Sequence, residues 1–551
     1  MESSLIFHAK KEVNGTVRRI LESRRITSWL VLLFLIAASN LKALGADTIR
    51  LQYDLIVYGA TASGVATAIA ASRNGLHVAI VDPSHHVGGM VAGGLSSSDH
   101  GNISVIGGIA HEFFARVGEH YGEPIEWNFE PHVASSVFSN LLSENHIDTY
   151  FDSPILEHGG VVKRGRQISS ITTSGGKIFR ATLFADCTYE GELMGLAGVS
   201  YTWGRESQKE YSESLAGVQA MQRPEHMFTV PVSPYGANEN LLPGVQPATD
   251  NKIGDGDKKV QAYGFRMCIT NQRNNMIPFP RPAQYDPARY EILARLVEAL
   301  TKAKGAPPTM KEMMLISKLK GDKLDINNRG AVSTDHIGAN WGYPSANAKQ
   351  RMAIWQDHYD YDAGFFYYLG HSNRIPKSLQ DEVNSYGLAK DEFTDTNGWP
   401  WQLYVREGRR MVGEYVMTQH DIQENLTKED SIGMGSYQSD SHNVERIPTE
   451  DGTVQNEGEM YVPVKPYQIP YRMMLPKRSE AENLFVPVCF SASHVAYSTV
   501  RMEPQYMIIG QAAGVAAALA IHGHTSIYDI SIPELQGELE KEHAVLRLPT
   551  M

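Results

Sequence analysis

The stretch Tyr53–Asp82, YDLIVYGATASGVATAIAASRNGLHVAIVD, constrains the chain more than any other. Its apolar run Leu55–Tyr58 reads as a buried parallel strand that breaks at Gly59 into a turn of glycine, alanine and serine. The turn opens an Ala-rich helix running to about Ser72. A second strand, His77–Val81, ends in Asp82, 23 residues after Gly59. Strand, tight turn, helix, strand and acid is the layout that binds an adenine dinucleotide. The free N–H groups and positive dipole end of the helix meet the pyrophosphate, and the acid accepts hydrogen bonds from ribose hydroxyls.

GATASG keeps Gly59 and Gly64 but sets Thr61 where the motif has its middle glycine. An ordinary strand-to-helix turn of an α/β protein explains this turn about equally well. The following segment favours the dinucleotide: Gly88, Gly89 and Met90, then Gly93-Gly94-Leu95, arrive just after the acid. A second glycine pair there is characteristic of flavoproteins, whose backbone must lie flat along FAD.

Residues 1–46 read as an export signal. Arg18, Arg19, Arg24 and Arg25 lead into the short apolar run Trp29–Ala38 and then small residues Ala43, Gly45 and Ala46. Ten apolar residues are too few to cross a bilayer, which takes about 20. Ser23-Arg24-Arg25 is also a loose twin-arginine pattern. The expected location is therefore secreted or periplasmic. The segment carries seven basic and three acidic residues, so without it the formal charge moves from −12 to −16. So acidic a chain argues against nucleic acid as a partner and against stable membrane insertion after signal removal.

Cys187, Cys268 and Cys489 lie in apolar stretches. Three cysteines without paired spacing give neither a disulfide framework nor a metal motif, and no metal site is expected. The remaining chain of about 505 residues, drawn from a sequence that is 42% hydrophobic, can bury a large core.

Ile106–Gly122 and Ser136–Ile147 carry helical apolar spacing. From Asp148 to Asp186 the period changes to short strands, at Tyr150–Asp152, Gly160–Val162, Ile168–Thr173 and Ile178–Ala185. They read as a β-meander whose last strand returns to the cofactor. Farther on, Gln261–Thr270 is strand-like, Tyr290–Lys302 is an amphipathic helix and Gln350–Leu369 is an aromatic-rich helix. LFVPVCF, from Leu484, reads as a buried strand. PQYMIIGQAAGVAAALAI, from Pro504, begins with a proline suited to a helix start and carries small residues on nearly every face. Paired with the N-terminal motif, it reads as a flavin helix whose dipole would stabilise negative charge on the reduced ring.

The chain resembles the FAD-dependent oxidoreductases of the glutathione-reductase type that are often called xanthan-lyase-like. The likeness rests on GGMVAGGLS (Gly88–Ser96), GGIAHEF (Gly107–Phe113), FADCTYEGELMGLAG (Phe184–Gly198), DINNRGAVSTDHIG (Asp325–Gly338), YVREGRRMVGEY (Tyr404–Tyr415), DSIGMGSYQSDSHN (Asp430–Asn443) and FSASHVAYSTVRMEPQYMIIGQAAG (Phe490–Gly514). It implies an α/β fold: a Rossmann-type FAD-binding domain over 47–205 with an inserted β-meander, a second α+β substrate domain over 206–470, and a return to the FAD domain over 471–551. It also implies that FAD is held by Gly59, Thr61, Gly64, Asp82, Gly88, Gly89, Met90, Asp186, Gly510, Gln511, Ala512 and Gly514. No arginine stands beside Asp82 to receive a 2′-phosphate, so electrons are expected from a substrate C–H bond rather than NADPH.

Oxidising an alcohol carbon requires a base for the hydroxyl proton, and histidine suits that need. His494 is the first choice, because it lies between the returning strand and the flavin helix. His442 is second, with Asp440 to orient it and Arg501 near His494. His336 and His100 sit in similar polar loops but read more readily as structural. Arg406, Arg409 and Arg410, at helical spacing, either clamp an anionic substrate such as a uronic acid or pair with Glu407 and Glu414. Trp399, Trp401 and Tyr437 would suit stacking on sugar rings. The expected function is oxidation of a hydroxyl on a carbohydrate or other glycan-derived substrate. The alternatives are an FAD-assisted glycan lyase or hydrolase working by oxidation, elimination and reduction, and a glycan-binding protein with structural FAD.

Overall fold

The computed structural model describes residues 50–220 and 224–548; the expected export signal lies outside them. Gln52–Gly175 and the described residues from Phe179 onward form one compact unit, while Arg50, Leu51 and Gly176–Ile178 group apart from it. The fold is mixed α/β with a partly parallel sheet.

Strand β1 (Arg50–Tyr58) pairs in parallel with β2 (Val78–Val81), and β2 with β3 (Asp148–Tyr150). Then β4 (Val161–Arg164) and β5 (Gln167–Thr172) form an antiparallel pair leading to β6 (Ile178–Asp186). The sheet order is β3-β2-β1-β6-β5-β4, and a two-residue strand, Leu484–Phe485, adds in parallel to β6. So β6 joins the two parts of one sheet, the antiparallel pair on one side and the parallel strands on the other.

This corrects two sequence expectations. The first strand of the supposed meander is the third strand of the parallel layer: Ala79 aligns with Asp148 and Val81 with Tyr150. The crossover helix Pro131–Glu144 delivers it there. The strand expected over LFVPVCF pairs at only two residues, with proline interrupting it at position 487.

Helix Ala62–Arg73 begins at Thr61, whose Oγ1 accepts from Gly64 N at 3.2 Å and donates to Cys187 O at 2.7 Å. Thr61 thus caps the helix and ties the turn to the end of β6, which explains its place in a glycine motif. The long apolar helix Glu503–His522 packs along this one at backbone contact. A Cβ on Gly510 would stand 2.3 Å from Ser63 O, and one on Gly514 would stand 2.4 Å from Thr67 O. Gln511 faces elsewhere, accepting from Ile109 N at 2.9 Å and donating to Glu542 at 2.9 Å, and Ala512 is buried. The Gly510–Gly514 segment, which the resemblance assigns to FAD, is therefore engaged in helix packing.

A second, antiparallel sheet orders Met314–Lys318, Lys323–Asn328, Met267–Thr270, Gly387–Ala389 and Met276–Ile277. Helices Glu291–Lys304 and Ala348–His371 accompany it, close to the expected spans. The strand expected from Gln261 starts only at Met267, leaving Gln261–Phe265 irregular and buried. The three cysteines are free and buried, consistent with small apolar residues.

Alanine in place of an exposed helical glycine ordinarily stabilises by roughly 0.5–1 kcal/mol. Gly514→Ala should instead lower the thermal midpoint, by overpacking worth about 1–3 kcal/mol. Gly537→Ala, where an added Cβ meets nothing within 4 Å, should hold or raise it; calorimetry of the two variants checks the contrast.

Candidate active site

A cleft of about 310 Å³ lies beside the ends of β1, β2 and β6, lined in part by Gly59, Thr61, Asp82, Gly89, Tyr189 and Arg351. Gly59 has φ +106°, and a Cβ there would lie 2.8 Å from the Cys187 carbonyl carbon. A Cβ on Gly89 would lie 2.4 Å from the Tyr189 hydroxyl. These close approaches require glycine at both positions, which leaves bare backbone along this part of the cleft wall.

Asp82 is buried; its Oδ2 accepts from Ala60 N at 2.5 Å and its Oδ1 from Ser84 N at 2.7 Å. Burial raises its carboxyl to about 6 despite these bonds. It therefore holds the glycine turn and stands on the cleft wall together. Gly88 begins the short helix Gly89–Ala92, and Met90 N donates to Tyr189 OH at 2.9 Å. Asp186 lies behind the cleft: its oxygens accept from Thr188 N at 3.1 Å, Thr188 Oγ1 at 2.7 Å and Met194 N at 2.7 Å. It shapes the turn that presents Thr188, Tyr189 and Glu190.

Arg351, missed in the sequence, is the one lysine or arginine lining this cleft among the described residues. It arrives from helix Ala348–His371, donates from Nε to Tyr343 O at 3.3 Å, and against burial the nearby charges of Glu190, Tyr343 and Glu192 raise its pKa. A pyrophosphate among three acids needs such a cation. Trp401 also lines the cleft, stacked on His86 at 4.3 Å, while Trp399 is core against Phe265 and Tyr359. Trp399 is thus buried away from any sugar-stacking position, whereas Trp401 is partly exposed on the cleft wall. Tyr437 OH donates to Asp99 at 3.0 Å.

His494 opens the helix His494–Val500, its N–H donating to Glu206 at 2.9 Å and its Nδ1 lying 2.8 Å from Glu407 Oε2. Burial alone would raise Glu407, but His494 and Arg410 outweigh it and hold the carboxyl at about 2. The ring is thus oriented by a carboxylate that stays ionised, with Nε2 as its other nitrogen. His442 Nδ1 lies 2.7 Å from Asp335 Oδ2. Asp440, the expected partner, instead gives its backbone oxygen to Arg501 Nη2 at 2.7 Å.

Burial and then Arg406 push His442 down to about 3, against the pull of Asp335. Its imidazole is neutral across the physiological range. Gln261 joins the two pairs, donating to Glu407 at 2.9 Å and accepting from His442 N at 3.0 Å. The two leading histidines therefore belong to one buried network. Of the other candidates, His336 pairs with Asp357 at 3.0 Å and stacks on Tyr361, and His100 is partly exposed beside Trp127.

The arginine triplet is neither helical nor a clamp. Arg406 pairs with Asp335 at 3.0 Å, Arg409 donates to Pro344 O at 2.8 Å, and Arg410 lies buried between Glu206 and Glu407. The two-residue strand Arg410–Met411 and its neighbours send the three side chains apart. Arg501 and Arg406 converge instead on Tyr404, Arg501 Nη1 at 3.3 Å from its hydroxyl and Arg406 Cζ 4.5 Å over its ring.

At the start of the long helix, Glu503 Oε1 accepts from Tyr189 OH at 2.7 Å, and its Oε2 is buried without a partner. Burial raises this carboxyl to about 8, opposed only by the tyrosine hydrogen bond. Glu503 is therefore mostly a neutral acid at pH 7.

The profile of the family described as FAD dependent oxidoreductase matches residues 54–539. The chain belongs to that family. FAD is accordingly its cofactor, and Gly59, Thr61, Asp82, Gly89 and Arg351 line the cleft that could receive it. No curated protein sequence matches the chain.

Among solved structures, it is similar to a geranylgeranyl bacteriochlorophyll reductase-like protein from Thermoplasma acidophilum. That likeness has 11% identity, covers 89% of this chain and 83% of that one, and has a TM-score of 0.32. Bacillithiol disulfide reductase from Staphylococcus aureus shows 15% identity over 25% of this chain and 38% of its own, with a TM-score of 0.19. p-Nitrophenol 4-monooxygenase from Pseudomonas putida shows 12% identity over 29% and 45%, with a TM-score of 0.22. This oxidoreductase thus matches less than half the length of the latter two.

Because Glu503 binds its proton more tightly folded than unfolded, its contribution is fully present below the unfolded carboxyl range. It is lost as pH rises through about 8. Glu503→Gln should flatten the fall of thermal midpoint between about pH 5 and 8, measured by fluorimetry across that range.

Proposed function

We propose that this oxidoreductase removes two electrons from a hydroxyl-bearing carbon of a carbohydrate or glycan-derived substrate, with His494 as the base. When bound, FAD supplies the hydride acceptor for such chemistry. The observation that carries the reading is the His494–Glu407 pair. Glu407 holds Nδ1 at 2.8 Å, so Nε2 is left to take the hydroxyl proton, and the ionised carboxylate stabilises the imidazolium that results.

His442 differs in kind. A ring held near a pKa of 3 is too weak a base at neutral pH, and its role is to hold or orient through hydrogen bonds. Asp440, Arg501, Tyr404 and Tyr437 supply the paired donors and acceptors that vicinal hydroxyls need. The resemblance to xanthan-lyase-like flavoproteins supports the glycan class, and the N-terminal composition supports export.

Anaerobic visible spectra of the FAD-loaded protein with sugars, sugar acids and oligosaccharides test the reading. A substrate of this class should bleach the oxidised flavin band lastingly, and His494→Ala should slow bleaching by about 10²–10⁴-fold. His442→Gln should weaken apparent affinity more than rate. A band that stays oxidised across the panel, or bleaching unchanged in His494→Ala, would overturn the assignment.

A further inference from the structure

We propose that His85, His86 and Asp395 form a binding site for a divalent transition-metal ion beside the dinucleotide cleft. His85 Nε2 and His86 Nε2 both face Asp395 Oδ2, at 3.2 and 2.8 Å. The three donor atoms all lie within 4.8 Å of one another. That spacing suits donors about 2.0–2.2 Å from one central ion. No cysteine or metal-type spacing in the sequence announces the site, because Asp395 lies 310 residues from His85.

The surroundings are built for ligation. His85 Nδ1, the nitrogen facing away from the donors, lies 3.4 Å from Asp152 Oδ1. A carboxylate behind a histidine ligand orients the ring and raises its basicity. Asp152 is held there with φ +50° and its N–H on Ser84 O at 2.8 Å. His86 is fixed by stacking on Trp401 at 4.3 Å and 3°. Asp395 sits on the short turn Thr394–Thr396, flanked by Phe393 and Asn397, both left-handed.

Among the described residues no lysine or arginine pairs with Asp395. The contrast with Glu130, His132 and Glu392 is direct: there Lys323 Nζ already occupies the centre, 2.7 Å from Glu130 and 2.5 Å from Glu392.

Two imidazole nitrogens and one carboxylate oxygen select zinc, nickel, cobalt or copper over magnesium and calcium. Side chains of His85 and Asp395 that are 58% and 48% exposed leave water to complete the shell. Such an ion would join the segment after Asp82 to the segment before Trp401. His86 and Trp401 both line the cleft, so the ion would brace its wall.

The test is calorimetric titration of Zn²⁺ and Ni²⁺ into untagged, chelator-treated, FAD-loaded protein, with metal content read by mass spectrometry. About one equivalent should bind, with Mg²⁺ giving no competing signal. Asp395→Asn and His85→Ala should abolish that binding. Asp152→Asn, which keeps all three ligands, should weaken it about 10–100-fold. Unchanged circular dichroism and flavin absorbance in the metal-free variants would show that folding is intact. Absence of binding to the parent protein, or equal binding to His85→Ala and Asp395→Asn, would overturn the site.

Discussion

The contact between helices Ala62–Arg73 and Glu503–His522 is the constraint on which the rest depends. Gly510 and Gly514 let one backbone reach the carbonyls of Ser63 and Thr67 at distances no Cβ would permit. Segments more than 400 residues apart are thereby locked together, which sets both ends of the site. The first helix begins at the dinucleotide turn, and the second begins at Glu503. Tyr189 then bridges the two ends, accepting from Met90 and donating to Glu503.

Around that frame the chain buries an unusual amount of charge. Arg410 lies between Glu206 and Glu407, Arg205 between Asp257 and Glu457, and Arg266 against Asp325. Removing such ions from water carries a penalty of several kcal/mol each, which mutual attraction often only offsets. Their presence is better explained by what they hold. Arg410 keeps Glu407 ionised, Glu407 orients His494, and Glu206 receives the His494 backbone. Gln261, in a stretch too irregular to be a strand, extends the same control to His442. The two histidines share a network, and within it burial and Arg406 hold His442 low against the pull of Asp335.

The dinucleotide half was legible in the sequence because its signals are local. The strand, turn and helix from Leu55 to Arg73 and the acid at Asp82 follow from periodicity and glycine placement over about 30 residues. The helix from Pro504 is equally plain, and the close packing that its glycines permit against the first helix shows only in the tertiary structure. The strand expected at Tyr150–Asp152 lies two residues earlier, at Asp148–Tyr150, and in the parallel part of the sheet, since so short a segment cannot say which strand it pairs with. The arginines at 406, 409 and 410 were misplaced by helical spacing in a segment that is not helical.

By itself the sequence determined the dinucleotide turn and the flavoprotein class, and it singles out His494 and His442 as candidates, all from residue type and short-range order. Tertiary structure alone decided their partners: Glu407 for His494 across 87 residues, and Asp335 for His442 across 107. It also decided that Arg351 reaches the cleft and that Asp395 meets His85 and His86. The physical reason is that proton affinity and ligand geometry depend on burial and neighbouring charge. Those are set only when distant segments pack, and no local pattern records them.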